Sequence, residues 1–227
     1  MRMHFTQALS RIRDNIKMME IQVNQATARA VTALINRDFQ EAREVKRGDR
    51  STDQLRYDVE TECITLMATQ QPVARDLREL AATALVAVEL ERCGDYAKGV
   101  AKAARRISRA NVVINTYNIN QMDGLARDML DRSVNAFVTV NSAEARQVIE
   151  DDNRLDRMYD ELLSLVVTDM TAEAMHIEGG TWLLYAGHCL ERLADRATNI
   201  AERVLFIETG TLPGDLNVHA AGEVRRL

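Results

Sequence analysis

Apolar side chains recur along the opening segment at Phe5, Leu9, Ile12, Ile16, Met19, Val23, Ala26, Ala30 and Ala33. Steps of four and three residues lay a single seam along a helix, and a sustained seam calls for packing against other helices. The spacing predicts a first helix over 4–36 with a turn at Asn36–Asp38, a second over 39–69, and a third from after Pro72 to 109. Asp76 falls in the first turn of that third helix, where a negative charge suits the helix dipole. The Asn-rich stretch 111–120 breaks the pattern and reads as a connector. Helices are then expected at 121–141, 143–174 and 180–209, with Gly179–Gly180 making the last turn and Gly210 a stop.

The chain repeats itself in letters as well as in pattern. Glu-Arg-Cys-Gly-Asp-Tyr-Ala-Lys-Gly-Val-Ala from Glu91 matches Glu-Arg-Leu-Ala-Asp-Arg-Ala-Thr-Asn-Ile-Ala from Glu191, an offset of 100 residues. Two Ala, the Glu, the Arg and the Asp coincide inside two equivalent predicted helices, which points to duplication. The expected architecture is all-α, two tandem three-helix bundles related by internal pseudo-symmetry. The boundaries are 1–110 and 119–212, with 213–227 an aperiodic, flexible tail.

Composition narrows the class. Aromatics are 4% of residues, while hydrophobic side chains make up 46%, enough for a core but poor in the residues that sheets favour. The net charge of −5 argues against a nucleic-acid binder. Three dispersed cysteines, Cys63, Cys93 and Cys189, form neither a disulfide framework nor a zinc knuckle, and reduced cytoplasmic thiols are expected. No signal-peptide core and no apolar run long enough to cross a bilayer is visible.

Carboxylates stand where apolar residues are expected. The row Ala145, Ile149, Asp152, Asp156, Tyr159, Leu163, Val166, Met170 carries two aspartates, and Ala42, Val45, Asp49, Asp53 is the corresponding row of the second helix. The third helix continues Leu77, Ala84, Val88 into Glu91 and Asp95, the sixth Leu184, His188 into Glu191 and Asp195. Each pair is spaced i, i+4 and shares a helix face. Carboxylates on a packing stripe need cations, because burying one alone costs several kcal/mol. A hard metal ion held by carboxylate oxygens serves that need, and so would Arg92 and Arg192. If the seam is rotated, the same acids line a solvated face instead. Both readings stand from the spacing alone.

Conventional catalysis has no visible apparatus: there is no Gly-rich phosphate loop, nucleophile elbow or HExxH motif. A ferritin-like diiron site needs two Glu-x-x-His motifs, and Glu173–His176 is the single match. His188 lacks a counterpart in the first half, where Val88 stands.

The segment Gln-Pro-Val-Ala-Arg-Asp-Leu-Arg at 71–78, Leu-Glu-Arg-Cys-Gly-Asp at 90–95 and Leu-Glu-Arg-Leu-Ala-Asp-Arg-Ala-Thr-Asn-Ile-Ala-Glu at 190–202 resembles the PhoU family. The likeness extends over almost the whole chain, from Phe5 and Leu9 through Val31-Thr-Ala-Leu34 to Gly210. It implies two PhoU domains and a regulator rather than an enzyme. Family members repress phosphate uptake and the phosphate-starvation response, acting between the phosphate ABC transporter and a sensor histidine kinase at the cytoplasmic face of the membrane. A homodimer is implied too. Family members also bind metal clusters through (Glu/Asp)-x-x-x-Asp motifs, which fall here on Glu91/Asp95, Glu191/Asp195, Asp49/Asp53 and Asp152/Asp156. The metal, among iron, zinc, manganese and magnesium, is left open. Tyr96, Lys98 and Gly99 make the first motif's surroundings unlike those of the second. The alternative to a signalling adaptor is a metal-storage or metal-sensing bundle.

Overall fold

The computed structural model describes residues 2–47, 50–110 and 115–211. Among these there are seven α-helices, one short 3-10 turn and no strand. The helices are α1 (Arg2–Asn36), α2 (Phe39–Arg47), α3 (Arg50–Gln70), α4 (Arg75–Ala110), α5 (Ile119–Thr139), α6 (Ser142–Ala172) and α7 (Ile177–Thr209). The second expected helix is thus described as two pieces, on either side of residues 48–49. The all-α, six-segment architecture is as expected from the periodicity. The predicted tail 213–227 lies outside the described residues.

Four helices, α1, α4, α7 and α5, pack in a ring, with α2 and α3 laid over α1 and α4, and α6 laid over α5 and α7. The α4–α7 contact is the largest. It is antiparallel: Arg78 donates to the Ile207 carbonyl at 3.0 Å, and Gly99 lies against Cys189. Near the middle the Cys93 thiol faces the Leu193 carbonyl at 3.9 Å. These two residues are repeat equivalents, so the pseudo-twofold axis passes between them. Helix α1 meets its own equivalent α5 in the same antiparallel sense, Lys17 reaching Asn135 at 2.7 Å and Asn24 the Arg127 carbonyl. The small side chains of α4 and α7 make this close approach possible. A Cβ on Gly99 would stand 2.6 Å from Cys189 Sγ.

Repeat positions keep their burial. Ala42, Val45, Thr52, Val59 and Cys63 are buried, and so are their equivalents 103 residues on, Ala145, Val148, Leu155, Leu162 and Val166. The turns match as well. Arg37 and Val140 both take positive φ, and the following Asp38 and Asn141 cap the next helices with side-chain oxygens that accept from Glu41 N at 2.9 Å and Glu144 N at 3.2 Å.

One local expectation is corrected and one is met. Gly179 and Gly180 lie inside α7, buried in its first turns, and the reversal is made by extended Glu173 and the 3-10 turn Ala174–His176. The reason is packing: a Cβ on Gly180 would stand 2.6 Å from Met170 Sδ of α6. Gly210 does end α7, in the left-handed conformation at φ 76°, its N–H bonded to Phe206 O.

The buried seams are also rotated from those drawn above. Helix α6 buries Ala145, Val148, Leu155, Leu162 and Val166, leaving Asp156 and Leu163 exposed and Ile149 and Asp152 half-buried. Helix α4 buries Leu80, Leu90 and Cys93 rather than Leu77 or Val88, and α7 buries Leu183, Leu190 and Leu193 rather than Leu184 or His188. On α6 the drawn row steps from Ala145 to Ile149 where the buried face steps to Val148, and one residue is about 100° around a helix of 3.6 residues per turn. The rotation carries the carboxylates out to the rim of the packing face.

Candidate functional site

That rim runs along two grooves related by the pseudo-twofold axis. The α6–α7 groove brings Asp152 and Asp156 of α6 towards Glu191 and Asp195 of α7. Burial raises the pKa of Asp152, and the charges of Asp195 and Asp156 raise it further. Asp156 is raised by burial, then by Asp195 and Asp160. Glu191 is raised by burial and by Asp195, against the opposing pull of His188 and Arg192. The four predicted residues of this half therefore do share one electrostatic site. Asp160 and Tyr159 join it unforeseen, the phenol raised by burial and by the Glu191 and Asp160 charges.

Among the described residues, the cations that reach this groove come from α7. Arg192 Nη1 lies 2.8 Å from Asp195 Oδ2, and Arg196 Nη2 lies 3.8 Å from the same oxygen. The second arginine is drawn off to Glu89 of α4 at 3.3 Å. His188 is exposed, with Nδ1 3.2 Å from Glu191 Oε2 and its ring 6.1 Å from that of Tyr159. That approach lacks hydrogen-bond geometry, and Glu191 Oε2 is a buried oxygen without a hydrogen-bond partner.

The α3–α4 groove holds Asp53, Glu91 and Asp95; Asp49 lies outside the described residues. Glu91 is raised by burial and by Asp95 and Asp53, and lowered by Arg56 and Lys98. Here the cations come from both helices. Arg56 Nη1 of α3 pairs with Glu60 at 3.2 Å while lying over the Tyr57 ring, and Lys98 Nζ of α4 lies 2.5 Å from Asp95 Oδ1. The repeat equivalents of Arg56 and Lys98 are Tyr159 and Thr198, so the second groove lacks both. Beside this groove a cavity of about 160 Å³ opens between α1 and the helices packed on it, lined by Gln22, Arg29, Thr52, Gly94 and Lys98 among others. In the other half, larger Leu155 and Ala194 take the places of Thr52 and Gly94.

These groups are of the kind that a hard metal ion takes as ligands. The donors are carboxylate oxygens, three with raised pKa in one groove, and one oxygen is orphaned, which is the chemistry such an ion relieves. Among the described residues, however, no three His, Cys, Asp or Glu side chains converge closely enough to grip one ion as they stand. The donor set fits, and side-chain rotation would have to complete it.

The paired grooves lie on two duplicated three-helix units, and the protein is a tandem helical bundle. The sequence model of the PhoU domain matches residues 16–104 and again 119–204. The chain therefore belongs to the PhoU family. It is 30% identical over 198 residues to a Burkholderia phosphate-specific transport system accessory protein PhoU homolog, covering 86% of this chain and 83% of that one. It is 31% identical over 208 residues to PhoU homolog 1 of Methanothermobacter thermautotrophicus, covering 89% and 94%. The crystal structure of PhoU from Pseudomonas aeruginosa superposes with a TM-score of 0.87 at 29% identity, over 91% of this chain and 100% of that one. That of the phosphate transport system regulatory protein PhoU from Streptococcus pneumoniae gives 0.84 at 28% identity, over 92% and 98%.

Proposed function

We propose that this protein is an accessory regulator of phosphate transport that restrains uptake and the phosphate-starvation response when phosphate is plentiful. It works by docking rather than by catalysis, as an adaptor between the phosphate ABC transporter and a sensor histidine kinase, from the cytoplasm and at the membrane's inner face. The observation that carries this reading is the match of both halves to the PhoU domain, with relatives named as accessory proteins of the phosphate-specific transport system. A helical surface in which, among the described residues, no helix is long and apolar enough to cross a membrane supports action through exposed helix faces. A homodimer belongs to the same proposal. The test is a deletion strain carrying a phosphate-starvation reporter. The reporter should fire in phosphate-rich medium and fall silent on complementation; a silent reporter in a deletion strain with no second copy of the gene refutes the repressor role.

A second reading adds to the first. The orphaned Glu191 oxygen amid raised carboxylates favours binding of a hard cation such as iron, manganese, magnesium or zinc by Asp152, Asp156, Glu191 and Asp195. The corresponding residues Asp53, Glu91 and Asp95, with Asp49, would serve the first half. The ion would neutralise and stiffen each groove. Elemental analysis of protein reconstituted with each metal, finding none retained, would refute it.

A further inference from the structure

Between Asp95 and Asp123 the sequence carries no acidic residue but five basic ones, Lys98, Lys102, Arg105, Arg106 and Arg109, in a chain whose net charge is −5. The last four sit at spacings of three and four on one face of α4, opposite buried Ala103, Ala104 and Ile107. Their partners are aromatic rings. Lys102 Nζ lies 5.7 Å from the Trp182 ring and 5.6 Å from that of Tyr185, and the Arg106 guanidinium lies 5.3 Å from Trp182. On the other flank Arg105 and Arg109 stand 5.3 and 4.9 Å from Phe39 of α2. Among the described residues none of the four forms an ion pair with an acid, and Arg105 Nε is buried without a hydrogen-bond partner. Ile177, Thr181 and Tyr185 follow one another at i, i+4 on α7 and are all exposed, Ile177 by 48%.

The fold does not require this patch. At the opposite end of the α4–α7 pair the equivalent positions are Glu202, Leu205, Phe206 and Thr209, set against Ala82 and Leu85. The same antiparallel contact is made there with no basic residue at these positions. The patch therefore breaks the internal symmetry.

We infer that this end of the bundle docks on an anionic lipid surface through Lys102, Arg105, Arg106 and Arg109, with Trp182 and Tyr185 seated at headgroup depth. Guanidinium groups not matched to acids bind phosphate oxygens in bidentate fashion, and Trp and Tyr favour the layer where an apolar body and a polar tip are both satisfied. Exposed Ile177 beside the cations suits the same mixed layer, which an acidic peptide would leave partly unused. Attraction to anionic headgroups amounts to about fivefold in partitioning per basic residue and fades within a Debye length. The inference does not depend on the transporter reading, and either can fail alone.

Trp182 is the one tryptophan of the chain, so its fluorescence reports the patch directly. The full chain should float with vesicles of phosphatidylglycerol and phosphatidylethanolamine at 0.1 M salt, with a blue shift of Trp182 emission. It should not float with phosphatidylcholine vesicles, and 0.5 M salt should release it. The double variant R105Q/R109Q, checked for helicity by circular dichroism, should lose about 25-fold in partitioning. R11Q/R47Q removes the same charge from cations paired with Glu62 and Glu44 and should lose less than threefold. No flotation on the anionic vesicles, or equal losses in the two double variants, overturns the inference. So does loss of transporter capture in detergent by R105Q/R109Q while the wild type ignores vesicles, which would assign the patch to an acidic protein.

Discussion

The two halves bury the same positions and turn at the same places, yet their grooves differ in how the acids are balanced. In α3–α4 a cation from each wall, Arg56 and Lys98, stands among Asp53, Glu91 and Asp95. In α6–α7 the α6 wall offers Tyr159 where α3 has Arg56, and three carboxylates are raised by burial and mutual repulsion. The packing differs in the opposite sense. The second half is filled by Leu155, while the first leaves a cavity beside Thr52. Duplication kept the core pattern, which every helix needs, and left the groove residues free to diverge.

The largest effect tests the packing half of that contrast. Leu155→Ala should lower unfolding free energy by about 3 kcal/mol, since a fully buried leucine leaves a hole when truncated. Thr52→Leu should stay within about 1 kcal/mol of wild type, because the adjoining cavity accepts the larger side chain while the bond to Gln22 at 3.0 Å is lost. Denaturant titration of both variants decides; equal losses would mean the halves are packed alike.

A smaller difference is expected at an equivalent pair of clasps. Arg132 holds Glu144 at 2.5 Å and Asp151 at 2.7 Å, whereas its counterpart Arg29 holds Glu41 at 2.6 Å from a more exposed position. Arg132→Ala should cost about 1–2 kcal/mol and Arg29→Ala under about 1 kcal/mol, read by the same titration.

The smallest effect has the opposite sign. A carboxylate whose folded pKa is raised binds more protons folded than unfolded, so it weakens the fold above that pKa and ceases to do so as pH falls through it. Asp156→Asn should therefore stabilise the protein at pH 7 by about 0.5 kcal/mol, and the gain should be smaller near pH 4, as pH falls through the raised folded pKa. The same substitution at Asp53 should show no comparable gain. Thermal unfolding at the two pH values distinguishes them, and a loss of stability at pH 7 for Asp156→Asn would contradict the repulsion.

The helices, the duplication and the acid pairs were legible because each depends on local spacing. Phe5 to Ala33 named the first helix, and the Glu91 and Glu191 segments named the repeat. Which face each acid occupies was not legible. A ladder stepping from Ala145 to Ile149 rather than to Val148 is an equally good row on paper, and only contact with α5 and α7 selects Leu155 and Leu162. Gly179–Gly180 read as a turn because glycine is the usual helix stop, while the space taken by Met170 is set from another helix. The neutralising role of Arg56 was invisible for the same reason: it lies across a groove from Glu91, with no fixed spacing to it. The basic run ending at Arg109 was in plain view, but its aromatic partners Trp182 and Phe39 come from distant segments.

The contrast between the grooves is tested most directly by calorimetric titration of metal-free protein with Mn²⁺, comparing wild type with the double variants D53N/D95N and D156N/D195N. Wild type should bind, D53N/D95N should leave the affinity of the tighter α6–α7 site within threefold of wild type, and D156N/D195N should lower the affinity of that site more than tenfold. Equal losses in the two variants, or no uptake by the wild type, would contradict the account.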